Sequence, residues 1–298
     1  MINNVKNNDA ICILGPTASG KTKYAVALAR TLAKQGIKAE IISADSRQVY
    51  KGMDIGTGKD LQEYGEIPVH LIDIIEAGEK YNIFEYQKDF SKVYSNLKSK
   101  KIYPIICGGS GLYIEAVTRG YQLVEVKPDE KLRAQLEEKS MDELITLLTT
   151  LKAQKGEKPH NNTDFDTKKR VIRAIEIEKA QLNLPPEAFP LPQKTYFIGI
   201  EVDRDIRNKK IDLRLASRLQ EGMVQEVQTL LNKGIPPDNL IYYGLEYKFI
   251  TQYLIGELSY NNMVNGLRTA IHQFAKRQMT WFRGMERKGV EINWVKNL

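Results

Sequence analysis

Only two cysteines and three histidines occur in the 298 residues, too few for an appended zinc finger. Cys12 and Cys107 each fall in an apolar stretch that reads as a core strand, where a lone thiol behaves as a small hydrophobe. Neither is read as redox-active, metal-binding or disulfide-bonded. Apolar runs approaching the roughly 20 residues of a membrane span are also missing, which excludes a membrane-spanning helix and leaves no membrane partner to expect. The polar opening Met1–Asn8 does not read as a signal peptide. The expected compartment is therefore the cytoplasm. There is no internal repeat and no low-complexity tail, so the chain reads as an ordinary globular protein.

What is present is a chain with 42% hydrophobic residues, enough for a substantial core in two domains or in one domain with a large insertion. The net charge of +7 suggests a polyanionic partner. Its distribution is more telling. Basic residues gather at Lys155 to Arg173, Arg204 to Arg218 and Lys276 to Lys288. One such cluster alone is usually a solvated helix face; three in a phosphate-binding chain favour a nucleic-acid substrate.

Phosphate binding itself is written in Gly15, Pro16, Thr17, Ala18, Ser19, Gly20, Lys21 and Thr22, preceded by the apolar strand Ala10–Leu14. The pattern G-x-x-x-x-G-K-[ST] arises by chance in only ~1% of chains this long. Its glycines let successive N–H groups converge on phosphate oxygens at a helix N-terminus. Lys21 adds a positive charge, and the Thr22 hydroxyl is placed to ligate Mg²⁺. The loop does not specify the reaction, because kinases, ATPases, GTPases and some transferases share it.

Around the loop, strand and helix alternate. Lys21–Lys34 carries Tyr24, Ala25, Leu28, Ala29 and Leu32 at helical spacing, and Ile83–Leu97 carries a second such face. Strands are predicted at Lys38–Ser43, Val69–Ile74, Lys101–Cys107 and Thr195–Val202, with a last one at Val290–Trp294. Between them, Glu130–Glu138, Met141–Gln154 and Asp166–Gln181 read as helices, followed by the proline-rich stretch Leu184–Pro192. Further helices are predicted at about 204–219, 222–233, 245–256 and 261–285. The fold class is α/β: a P-loop nucleotide-fold core with a central parallel sheet, formed by residues 1–119 and 193–298, plus a helical insertion over 120–192. Ligands of such a sheet bind at the carboxyl ends of its strands.

Two further segments fall at those ends. Ser43–Tyr50 follows the second strand, which places Asp45 near the phosphate site as general base, magnesium partner or helix cap. Gln48 offers a donor and an acceptor suited to an adenine edge. Gly108–Tyr113 puts small residues and exposed N–H groups where a substrate backbone can approach.

Gly15–Thr22, Ser43–Lys59, His70–Asp73, Gly108–Tyr113, Arg170–Glu176 and Ala275–Arg283 together resemble the tRNA dimethylallyltransferase family, in family order from residue 11 to residue 284. The resemblance implies transfer of a dimethylallyl group from dimethylallyl diphosphate to N6 of the adenosine 3′ to the anticodon, in tRNAs reading U-initial codons. It implies Asp45 as catalytic base, Thr22 with Mg²⁺, and Arg214 on the diphosphate, with Arg218 one turn away as competitor. It also implies Asp45, Ser46, Arg47 and Gln48 around the flipped adenine and Ser110 beside it. Arg133, Lys169, Arg170 and Arg173 of the insertion would grip the anticodon stem-loop, and His272, Gln273, Lys276, Arg277 and Gln278 would add a second tRNA contact. A monomer is expected.

Two positions depart from the family pattern. Its Gly-Tyr-[Lys or Arg] reads Gly244-Leu245-Glu246 here, with Tyr247 and Lys248 as the next candidates for those roles, and its Thr-Arg-Gln reads Ile271-His272-Gln273. Both touch acceptor recognition and leave the diphosphate site intact. The alternatives are an isopentenyltransferase acting on free adenine nucleotides, a P-loop small-molecule kinase, and a non-catalytic RNA-binding protein with a relic loop. The long insertion and the basic clusters speak against a mononucleotide acceptor.

Overall fold

The computed structural model describes residues 2–154, 165, 167–181 and 187–296. Lys155 and Lys158 of the first basic cluster, the expected helix start Asp166 and residues 184–186 of the proline-rich stretch lie outside the described residues. The chain packs as two compact units, 1–120 with 190–298, and 121–189.

The first unit is built on a six-stranded sheet of β1 (Ala10–Leu14), β2 (Ala39–Ser43), β3 (Val69–His70), β4 (Tyr103–Gly108), β5 (Thr195–Glu201) and β6 (Ile292–Lys296). Every pairing is parallel, in the order β3-β2-β4-β1-β5-β6. β1 is buried along its whole length, the pattern of a strand covered on both faces. Cys12 pairs in register with Ile106, and Cys107 with Ile13. The two thiols therefore point to opposite faces of the sheet, into separate cores, and no disulfide can join them.

Helix α1 (Ile2–Asn7) leads into β1, and α2 (Lys21–Ala33) leaves it. On one face of the sheet, Ala25, Leu28, Ala29 and Leu32 of α2 pack on Ile11, Ile13, Ile41 and Ile105. On the other lies α3 (Ile83–Ser99), whose Tyr86, Phe90 and Leu97 share a core with Cys12, Leu14 and Ile106. Asn82 starts α3 through a reciprocal cap: its side chain accepts from the N–H groups of Phe84 and Glu85, and Glu85 accepts from its own N–H. The short α4 (Gly111–Thr118) follows β4. Strands after β1 are laid first to one side of it, as β2, β3 and β4, and later to the other, as β5 and β6. The direction of winding reverses at β1, so the crevice opens at its carboxyl end, where the phosphate loop begins.

The third strand stops after His70, short of the expected Ile74. Leu71 (φ 63°) and Asp73 (φ 55°) take left-handed backbone, which no strand accommodates. The Asp73 N–H turns back to donate to the Gln48 carbonyl at 3.1 Å, and its carboxylate is drawn to Lys59.

The second unit contains α5 (Glu130–Glu137), α6 (Met141–Gln154) and α7 (Lys168–Gln181), packed around Leu136, Leu144, Leu148, Val171 and Ile175. The first unit closes with α8 (Arg204–Gln220), α9 (Met223–Asn232), α10 (Pro237–Tyr242), α11 (Leu245–Leu254) and the long α12 (Tyr260–Arg287).

Candidate active site at the phosphate loop

The loop from Gly15 to Thr22 turns through left-handed backbone at Ala18 (φ 59°) and Gly20 (φ 82°) and becomes the first turn of α2. Gly20 has no side chain to cap the leading N–H groups of that helix, which leaves them for an anion. Lys21 Nζ donates to the Pro16 carbonyl at 3.3 Å. Burial holds the Lys21 ammonium below its ordinary pKa, with the neighbouring Asp45 carboxylate pulling it up and Arg214 pushing it down. Beside Thr22, burial raises the Tyr64 phenol well above the usual range, with Thr22 pulling it down. Thus Lys21, Thr22, Asp45 and Arg214 belong to one electrostatic neighbourhood.

Asp45 stands on a wall formed where β2 and β4 end. Ala44 N–H donates to the Cys107 carbonyl at 2.8 Å, and Ser110 N–H to the Ala44 carbonyl at 3.2 Å. A Cβ at Gly108 would sit 2.1 Å from the Ala44 oxygen, so only glycine lets the strand ends meet. Ser46 N–H donates to Ser110 Oγ at 3.1 Å, and Arg47 N–H to Asp45 Oδ1 at 2.9 Å. The Arg47 guanidinium lies 5.6 Å from the centre of the exposed Tyr242 ring. Gln48, expected to read an adenine edge, is held inside the wall: its Nε2 donates to the Gly58 carbonyl at 3.0 Å and its Oε1 accepts from Ser43 Oγ at 3.4 Å.

The loop Asp54–Asp60 adjoins this wall through Gly58. Glu226 of α9 accepts from the N–H groups of Asp54, Ile55 and Gly56 at 2.8, 2.7 and 3.0 Å, and from the Tyr247 hydroxyl at 2.6 Å. Lys59, buried at 2% exposure, donates to the Tyr50 carbonyl and Asp54 at 2.6 Å each and also to Asp73. Asp60 receives Arg214 at 2.7 Å and Arg218 at 3.2 Å. The two candidate arginines thus converge on one carboxylate. Burial, with Arg214 beside it, lowers the Arg218 pKa against the pull of Asp60 and Glu246.

Glu246, where the family pattern has a cation, sits beside these arginines, so this departure reaches the candidate diphosphate arginines and is not confined to acceptor recognition as expected. Burial raises its carboxyl above the ordinary value, although Arg218 and Arg214 favour the charged form. Tyr247 is buried and committed to Glu226, so it does not stand in for the missing exposed aromatic. Lys248 is exposed, 5.8 Å from the Phe249 ring.

Gln278 of α12 is buried and clamps the site, accepting from Thr17 N–H at 2.8 Å and donating to the Gly109 carbonyl at 3.0 Å. His272 faces Asp212 at 2.9 Å. Gln273, Lys276 and Arg277 are exposed along the same helix. In the second unit, Arg133 binds Glu176 through two bonds of 2.8 and 2.9 Å, and Arg173 binds it at 3.0 Å. Lys169 and Arg170 are exposed on α7. Glu226, Lys59 and Asp60 were not singled out from the sequence, although Lys59 lies inside the Ser43–Lys59 block. No local spacing marks Glu226, whose N–H partners are about 170 residues away.

A phosphate loop at the reversal point of a parallel sheet, flanked by an aspartate and two arginines, defines a P-loop protein shaped for a phosphorylated substrate. The chain belongs to the IPP transferase family, which matches residues 48–285. It is 55% identical over 292 residues to "tRNA dimethylallyltransferase 2" of Bacteroides fragilis, covering 96% of this chain and 92% of that one. It is 55% identical over 296 residues to "tRNA dimethylallyltransferase 1" of Parabacteroides distasonis, covering 98% and 93%. A solved full-length tRNA isopentenylpyrophosphate transferase from Bacillus halodurans superposes with a TM-score of 0.68 at 32% identity, covering 97% of this chain and 89% of that one.

Proposed function

We propose that this enzyme transfers a dimethylallyl group from dimethylallyl diphosphate to the exocyclic N6 of an adenosine in tRNA, the one 3′ to the anticodon, releasing diphosphate. The observation that carries this reading is the placement of the phosphate loop beside the wall that bears Asp45: Gln278 joins the two, accepting from Thr17 N–H and donating to the Gly109 carbonyl, where β2 and β4 end together. N6 attacks the allylic carbon as its C–O bond breaks, and the electron pair leaves with the diphosphate. The N6 proton passes to the Asp45 carboxylate.

The leading N–H groups of α2, Lys21 and Arg214 offset the charge that grows on the leaving oxygen. Adenine N6 is a weak nucleophile because its lone pair is delocalised, so positioning supplies much of the rate. The base must first leave the anticodon-loop stack. Arg47 and Tyr242 offer a guanidinium and an exposed ring for a neighbouring base, the usual surfaces for single-stranded RNA.

Among the described residues no group of three or more His, Cys, Asp or Glu gathers as a metal site. Mg²⁺ suits the donors that are present, since it is commonly held by one or two protein oxygens with substrate phosphates and water. Thr22 would hold it, and when bound it would neutralise charge on the departing diphosphate. Lys169 and Arg170 would supply phosphate contacts to the anticodon stem-loop; Gln273, Lys276 and Arg277 would supply a second tRNA contact. A monomer in the cytoplasm suits this substrate, and among the described residues no helix is long and apolar enough to cross a membrane.

Lys21→Ala and Asp45→Ala should abolish measurable transfer while leaving tRNA binding within about twofold. Removing a general base costs about 10²–10⁴ in kcat. Near-normal turnover by Asp45→Ala at saturating substrates would contradict its role.

A further inference from the structure

Asp60 is a non-glycine residue in left-handed backbone (φ 42°, ψ 48°), a conformation that persists only where the surroundings hold it. They do so from three sides. Lys59 anchors the preceding residue to Tyr50, Asp54 and Asp73, Glu226 gathers the N–H groups of residues 54–56, and Gln48 takes the Gly58 carbonyl. A Cβ at Gly58 would lie 2.2 Å from Arg214 Nη2 and 2.1 Å from Arg218 Nη2, so both guanidinium groups rest on this loop. Two cations so close repel one another, and the shared Asp60 carboxylate offsets that repulsion. It takes only the Nη2 group of each arginine. Arg214 remains one-third exposed and within electrostatic reach of Lys21, whereas Arg218 is only 11% exposed.

We propose that Asp60 is a positioning residue, which holds Arg214, backed by Arg218, in the orientation that meets the diphosphate. The inference rests on the proposed reading of the site, and it concerns diphosphate capture rather than the acceptor. Asp60 touches neither substrate nor proton; it acts through Arg214.

The test is a double-mutant cycle on the full chain, titrating inorganic diphosphate into the parent protein, Asp60→Asn, Arg214→Ala and the double variant. Asparagine tolerates left-handed backbone as well as aspartate does, so the loop keeps its shape and loses only the charge. Asp60→Asn should weaken diphosphate binding roughly tenfold when Arg214 is present, the scale of one charge-assisted hydrogen bond, and less than about twofold when Arg214 is already alanine. The KM for tRNA should stay unchanged. An equal loss in both backgrounds would overturn the proposal, because it would mark a general structural effect. Tighter diphosphate binding by Asp60→Asn would also overturn it, since Asp60 would then merely occupy the anion's place. The titration contains no acceptor, so failure to modify tRNA would count against the functional reading and leave this result separately interpretable.

Discussion

At the scale of single residues, Glu226 organises the loop Asp54–Asp60 through four hydrogen bonds, three of them from consecutive N–H groups. Glu226→Ala leaves those donors without their acceptor and should cost about 2 kcal/mol of stability, given ~1–3 kcal/mol for an unsatisfied buried group. Urea unfolding measures this, and diphosphate affinity should fall with it. The phosphate loop was legible because its chemistry lies within eight consecutive residues. Asp45 was legible because it follows a strand end. Gln48 and Gln278 stand out in the sequence as polar groups near the site, but what their amides bind depends on Gly58, Thr17 and Gly109, which the fold brings from elsewhere. Glu226 was hidden for the same reason.

At the scale of elements, the amphipathic helices and the apolar strands announced themselves by period. What escaped is short or depends on distant partners. β3 ends early because Asp73 is claimed by Lys59; α10 spans only 6 residues, too few for a clear hydrophobic repeat, and α4 is buried on nearly every side, so it shows no polar face to mark a helical period. In the second unit α5 and α7 are tied through Glu176, which receives Arg133 of α5, Arg173 of its own helix and the Asp129 N–H. Burial alone would raise this carboxyl, but those partners outweigh it and hold it below the ordinary 4.5. A depressed folded-state pKa means that the stabilisation is fully present above the unfolded value and is lost as pH falls through the folded one. Glu176→Gln should therefore cost about 1–3 kcal/mol at pH 7. That is less than the ~3–5 of breaking a fully buried pair, because the arginine side chains are 34% and 37% exposed. The difference between variant and parent in urea midpoint should shrink steadily once the pH is taken below 4.5; a constant difference would contradict the assignment.

For the whole molecule, the net charge of +7 separates into cations bound within the protein and cations exposed on its surface. Arg133 and Arg173 bind Glu176, so replacing them also disturbs the packing of α5 and α7; Lys169 and Arg170 are exposed on α7 and are the residues to vary for RNA binding. Alanine at both should weaken tRNA binding and flatten the plot of log affinity against log salt by about 0.7–0.9 for each phosphate that is no longer neutralised. Transfer at saturating tRNA should be unaffected. An unchanged slope would remove these residues from the interface.

In the proposed reaction one phosphate loop holds a prenyl diphosphate while Asp45 takes a proton from adenine N6 in tRNA. Its most direct test supplies labelled dimethylallyl diphosphate and Mg²⁺ with unmodified tRNA reading U-initial codons, and AMP and ATP as competing acceptors. Label is expected in tRNA at the adenosine 3′ to the anticodon, and none with Asp45→Ala. Label confined to a free nucleotide, or label in tRNA undiminished by Asp45→Ala, would contradict it.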